Sequence, residues 1–142
     1  EAFHFAKPNI PDLDYSFSGL KTSFLYTLRD AIAQDKDFVQ KNMADLAASL
    51  QKTIIDILMN KLDKAAKLTH AKTIAIGGGV SANSGFRNAV ARYCEENSLT
   101  AFIPERRFTT DNAAMVAMAG YFKYLDKDFC RYDQVPFART EI

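Results

Sequence analysis

Apolar residues recur at intervals of three and four along most of the chain, a spacing that predicts helices. Leu20, Phe24, Leu28 and Ile32 repeat every four residues behind Ser18, a residue type that caps helix starts. A helix is therefore expected from Gly19 or Leu20 to about Ala33, with that stripe buried. Val39, Met43, Leu46, Leu50, Ile54, Ile57, Leu58, Leu62 and Ala65 form one continuous face from about Asp37 to Leu68. No proline or glycine interrupts it, so it is expected to be the longest helix, buried or packed on a sheet. A third helix, capped by Ser81 or Asn83, is expected to run to about Glu96 with Phe86, Val90 and Tyr93 facing inward. A fourth, capped by Thr109 or Thr110, is expected from Asp111 to about Leu125, with Ala114, Met118, Tyr121, Phe122 and Leu125 on its packed face.

Two short runs break the helical period. Thr73-Ile74-Ala75-Ile76 stops at Gly77-Gly78-Gly79 and reads as a buried parallel strand. Leu99 to Ile103, closed by Pro104, reads as a second strand. Strand, helix and strand then make one βαβ unit, and the fold class is α/β with a small, mainly parallel sheet. Residues 1–13, broken by Pro8 and Pro11, and residues 126–142 are expected to be irregular. Residues 1–142 read as one domain. Two strands make a poor sheet, since sheets usually have about four to six. The segment is therefore expected to be the later part of a larger α/β domain. It begins at Glu1 and not at methionine, so residue 1 is expected to be a boundary inside a longer protein.

Composition narrows the classes. The residues are 48% hydrophobic and 25% charged, an ordinary globular balance that argues against disorder and low complexity. No apolar run approaches the roughly 20 residues that span a bilayer, and no signal peptide is visible. Eighteen basic residues against 17 acidic ones leave a net charge of +1, with Arg106 and Arg107 the densest basic spot. Strong electrostatic capture of nucleic acid by this segment alone is not expected. Cys94 and Cys130 form no C-x-x-C pair, and two reduced, buried thiols are expected.

Three segments could carry chemistry. In Ile76-Gly77-Gly78-Gly79-Val80-Ser81-Ala82-Asn83, a strand ends at three glycines and turns into a helix. Missing side chains let backbone approach a ligand, free N–H groups at a helix start attract polar groups, and the Asn83 amide can donate and accept. A tight turn with no ligand is the plain alternative. Gly77-x-Gly79-x-x-Ala82 also fits the dinucleotide fingerprint, with Glu105 as the ribose-binding acid. Two features oppose it: at least 70 residues precede the turn, and no further βα units follow residue 103.

In Thr109-Thr110-Asp111-Asn112-Ala113-Ala114-Met115, Asp111 either complements the dipole of the helix it starts or points into a cleft and ligates a metal. In Ser16-Phe17-Ser18-Gly19-Leu20-Lys21-Thr22, the plain explanation is a capped helix start, with glycine where another element comes close. His4 and His70 lie far apart with no partner acid, so a hydrolase triad has no support.

These segments, taken together from Asp14 to Thr22, then Gly78 to Asn83, then Thr110 to Met115, resemble the TsaD family in content and order. Its members are catalytic subunits of tRNA threonylcarbamoyladenosine synthesis, formerly named O-sialoglycoprotein endopeptidases or glycoproteases. The resemblance covers about Phe3 to Arg139. It implies an actin-like ATPase fold of the sugar kinase and heat-shock class, of which this chain resembles the second lobe only. It implies transfer of threonylcarbamoyl from its adenylate to N6 of adenosine 37 of tRNA. By position, Gly78, Gly79 and Asn83 would bind the adenylate, and Asp111 would be one ligand of a divalent iron or zinc. The family's H-x-x-x-H metal ligands have no counterpart here, because His4 and His70 match neither their spacing nor their place.

The resemblance thus implies an adenylate-binding lobe that is inactive and metal-poor by itself, a cytoplasmic protein, and accessory subunits of the bacterial threonylcarbamoyladenosine complex as partners. Two rival enzyme classes stand beside it, a glycoprotease-type metallopeptidase and a Rossmann-type oxidoreductase. A third rival is a non-catalytic module whose helices pack on a partner. An unpaired sheet edge would also permit a homodimer of the segment.

Overall fold

The computed structural model describes residues 2–8 and 10–135. The remaining parts of the ends expected to be irregular, Glu1 and residues 136–142, lie outside the described residues, as does Asn9. The element order is α1 (Ser18–Gln34), α2 (Phe38–Thr69), β1 (Thr73–Ala75), a 3₁₀ turn (Gly79–Ala82), α3 (Ser84–Glu96), β2 (Thr100–Phe102), a second 3₁₀ turn (Arg106–Phe108) and α4 (Ala113–Leu125). Every expected helix and strand is present within two residues of its expected bounds. β1 and β2 pair in parallel, Thr73 opposite Thr100 and Ala75 opposite Phe102. The βαβ unit and the α/β class follow directly.

The packing centre lies between α1, α2 and the irregular N-terminal segment. Phe5, Leu20, Leu46 and Ile57 are buried there, flanked by Phe3, Phe17, Phe24, Leu28, Phe38, Leu50 and Ile54. Phe5 meets Phe24 edge-on at 5.2 Å between ring centres, and Phe3 meets Phe38 edge-on at 5.7 Å. Edge-to-face contact at such distances is the favoured aromatic geometry. Irregular backbone is therefore part of the core here. Ile32 and Met43, expected in the buried stripes, are exposed. They fall outside the cluster centred on Leu20, Leu46 and Ile57.

One polar group holds that N-terminal segment down. Lys61 of α2 is buried, and its Nζ donates to the carbonyls of Ile10 at 2.7 Å, Asp12 at 2.6 Å and Pro11 at 3.4 Å. An ammonium carries three donors, and three carbonyls satisfy them all. A buried charge is tolerable only when hydrogen-bonded in this way.

The helix ends show two regularities. Asn83 caps α3 by accepting from the Phe86 amide at 3.0 Å, and Asn112 caps α4 by accepting from the Met115 amide at 2.9 Å. The cap of α4 is thus Asn112 and neither Thr109 nor Thr110. Thr109 is buried and donates its hydroxyl to the Arg106 carbonyl instead. Ser18 does not cap α1 either: Phe17 holds the N-cap position with no side-chain bond, and Ser18 lies inside the first turn. At the other ends, α2, α3 and α4 each run into a left-handed non-glycine residue, His70, Ser98 and Lys127. Ala71, Leu99 and Asp128 then bond back to the carbonyls of Ala66, Cys94 and Lys123, the usual way a helix end satisfies its orphan carbonyls.

Three burial expectations are overturned. β1 is mostly exposed and β2 wholly so, because no further strand lies beside this pair among the described residues. No residue of α4 is buried, and Met118, Tyr121, Phe122 and Leu125 of its expected inner face are each more than half exposed. Of the two thiols, Cys94 is buried in α3 while Cys130 is exposed beyond α4. Among the described residues, no helix is long and apolar enough to cross a membrane.

Lys61→Met removes the donor that ties the carbonyls of residues 10–12 to α2, and urea denaturation should show a loss of about 1 kcal/mol. Burial pushes the Cys94 thiol above its ordinary range. Ellman's reagent should therefore react quickly with one thiol per folded chain, Cys130, and with Cys94 only after denaturation.

Candidate functional site

The candidate site is built where both strands end. Backbone bonding carries the parallel pairing one residue beyond β1, with the Ile76 amide donating to the Phe102 carbonyl at 3.1 Å. The chain then enters the glycines. Gly78 has φ 77° and ψ 172°, a region essentially closed to residues with a Cβ. Its carbonyl accepts twice from Ser81, from the amide at 3.0 Å and from Oγ at 2.7 Å. Ser81 is 1% exposed, so this small ring of bonds is the inner wall of the turn. Gly77, Gly78 and Gly79 are exposed, and an added Cβ at any of them would meet nothing within 4 Å. The conformational demand at Gly78 comes from this chain's own backbone. The described residues give no packing reason for glycine at 77 or 79.

Asn83 works within the protein. Its Oδ1 caps α3, and its Nδ2 donates to Gln51 Oε1 of α2 at 2.8 Å. Both ends of the amide are thus engaged, and they fix the start of α3 against α2. Gly85 allows the close approach there, since a Cβ on it would come within 2.9 Å of Ile55 Cδ1. Tyr93 adds a second tie, donating its hydroxyl to Asp63 of α2 at 3.1 Å. Hydrogen bonds from Lys67 and Tyr93 hold the Asp63 carboxyl below its ordinary range despite partial loss of solvent, while loss of solvent and the bond to Asp63 push the Tyr93 phenol up.

Arg87, which sequence reasoning passed over, reaches both strand ends. Its Nη1 donates to the Ser81 carbonyl at 3.0 Å and its Nη2 to the Pro104 carbonyl at 2.6 Å. The available signal was a guanidinium four residues after a helix cap that follows a glycine turn.

Beside the turn lies a shallow hollow of about 240 Å³, lined by Ala75, Ile76, Phe102, Ile103 and Pro104. It opens at the carboxyl ends of the parallel strands, where open α/β sheets place ligands. Neither Gly78, Asn83 nor Asp111 lines it. Asp111 is exposed and lies before α4, not in its first turn. Its side chain makes no hydrogen bond or ion pair among the described residues, and no hydrogen bond there joins it to residues 78–83. No three of His, Cys, Asp and Glu converge among the described residues. One exposed carboxylate does not make a metal site, and the donor set present here does not fit a held ion.

The dinucleotide fingerprint fits poorly. Ala82 closes a 3₁₀ turn, and α3 begins only at Ser84, so the glycines do not open directly onto a helix start. His70 closes α2 in a left-handed conformation. A Cβ on Gly19 would stand 3.3 Å from Pro8 Cγ, which is the close approach expected there.

Comparison with known proteins gives one family. The model described as "TsaD: tRNA N6-adenosine threonylcarbamoyltransferase" matches residues 1–118. Proteins named tRNA N6-adenosine threonylcarbamoyltransferase are 58% identical in Porphyromonas gingivalis and 54% identical in Phocaeicola vulgatus, each over 142 residues and the whole of this chain. One from Thermosipho africanus is 46% identical over 124 residues, or 86% of this chain. The chain spans 42% of the length of each of the first two relatives and 36% of the third.

Alanine at position 78 should cost about 2 kcal/mol of unfolding free energy, because that φ and ψ pair suits glycine alone. Alanine at position 77 should stay within about 0.5 kcal/mol of wild type in the same guanidinium titration.

Proposed function

The chain belongs to the TsaD family of tRNA N6-adenosine threonylcarbamoyltransferases, and on that premise we propose that it is the adenylate-binding lobe of such an enzyme. The observation that carries this reading is the exposed backbone of Gly77, Gly78 and Gly79 at the end of β1, beside an apolar hollow. Among the described residues, no packing contact calls for glycine at 77 or 79. A ligand lying against the backbone supplies one, because any side chain would occupy its place.

In this proposal the adenosine half of threonylcarbamoyl adenylate lies against Gly78 and Gly79. Asn83 holds the turn in register with α3 and α2, so its part in binding is to fix the peptide groups that meet the ligand. The lobe belongs to an actin-like ATPase fold, as a single domain whose bare strands and α4 abut the rest of a longer enzyme. That enzyme, working in the cytoplasm with accessory subunits, transfers threonylcarbamoyl to N6 of adenosine 37 of tRNA. Asp111 is this chain's one contribution to an iron or zinc centre and does not retain the ion alone. The lobe by itself binds and orients the adenosine half and does not complete the transfer.

Isothermal titration with adenosine 5′-monophosphate tests the reading. The wild-type chain should bind. Gly79→Ala should bind about tenfold more weakly with little change in melting temperature. Equal affinity in the two proteins, or no binding by either, would overturn the proposal.

A further inference from the structure

We infer that Arg87 is a positioning residue, a clamp that fixes the distance between the two strand-end loops and so sets the shape of the glycine turn. The inference deepens the adenylate-binding reading and rests on it for the purpose of the clamp, though not for its existence.

The geometry is a short chain of bonds. The Arg87 guanidinium donates through Nη1 to the carbonyl of Ser81, after β1, and through Nη2 to the carbonyl of Pro104, after β2. Ser81 in turn donates twice to the carbonyl of Gly78, the residue with φ 77°. Arg87, Ser81 and Gly78 are thus linked in series, with the far arm anchored on Pro104. Arg87 lies in the first turn of α3, directly bonded through its amide to the Asn83 carbonyl at 3.0 Å. One residue therefore joins the helix start through its backbone to the glycine turn and the second strand's exit through its side chain.

The chemistry requires arginine. Its rigid planar fork presents two separate N–H groups to two acceptors at once, and it keeps its charge under all ordinary conditions. A lysine carries its donors on one nitrogen, which suits carbonyls that converge on a point, as around Lys61, and it lacks the planar fork that meets two acceptors from two separate nitrogens. No carboxylate pairs with Arg87 among the described residues; its guanidinium donates to the two carbonyls. The charge is spent on backbone, which suits a role in shaping loops.

The parallel pair makes the clamp necessary. β1 and β2 are three residues each and largely exposed, so their own pairing is a weak constraint on where the loops lie. Without Arg87, the turn and the Pro104 corner can separate while the α2–α3 packing stays intact.

Arg87→Lys tests this, with Arg87→Gln as a second variant, read on whichever keeps the wild-type helical circular dichroism. Amide exchange at Ser81 and Asn83 should quicken by about tenfold or more, while amides within α2 keep wild-type rates. Affinity for adenosine 5′-monophosphate should fall by about tenfold with the melting temperature nearly unchanged. Unchanged exchange at Ser81 and Asn83 would overturn the clamp. So would unchanged nucleotide affinity in a variant whose wild-type parent binds. If the wild-type chain binds no nucleotide but the variant's turn still exchanges faster, the clamp stands and the adenylate-binding reading falls.

Discussion

Helix α2 must bury apolar surface on more than one side, and the other elements take their places around that requirement. At 32 residues it is roughly 48 Å long, far more than a single neighbour of ordinary length can cover. The N-terminal segment and α1 take one part, around Leu46 and Ile57. α3 takes another, where Gly85 removes the Cβ that would strike Ile55. Three polar ties run to the same helix: Lys61 to the carbonyls at 10–12, Gln51 to Asn83, and Asp63 to Tyr93. Both the segment that opens the chain and the helix that follows the glycines are thus registered on one rod.

That registration gives the glycine turn a fixed frame. The turn hangs between α3, held on α2 by Asn83, and the exit of β2, held by Arg87. Asn83 illustrates how a side chain beside the glycine turn can act on it through the backbone. Its amide oxygen caps α3 and its amide nitrogen bridges to Gln51, and together they register the start of α3 on α2. Asp111 is the contrasting case. No hydrogen bond or ion pair among the described residues restrains its side chain.

Most of the architecture was legible in the residues. The repeat from Val39 to Ala65 specifies α2 because a 3.6-residue period can satisfy only a helix. The change from Ile74 and Ile76 to three glycines marks a strand ending in a turn because no other element tolerates that switch. What sequence periodicity does not encode is which surface finds a partner. The stripe Met118, Tyr121, Phe122 and Leu125 is as apolar as any buried face, yet it is bare here, since burial belongs to the assembly and not to the pattern. The Lys61 and Arg87 bonds were also invisible. Both end on backbone carbonyls, which every residue possesses, so no residue type announces the acceptor. The switch from Thr to Asn112 as the α4 cap has a similar origin: Thr109 had a closer acceptor at Arg106 and was drawn inward.

The bare surface of α4 affects how the chain loses its structure. A helix of 13 residues with no buried side chain draws its stability almost entirely from its own backbone, and helices of that length are marginal alone in water. α4 therefore melts by its own equilibrium, apart from the α1–α2–α3 unit. Loss of structure is then not a single all-or-none event, and amides within α4 open to exchange ahead of those within α2.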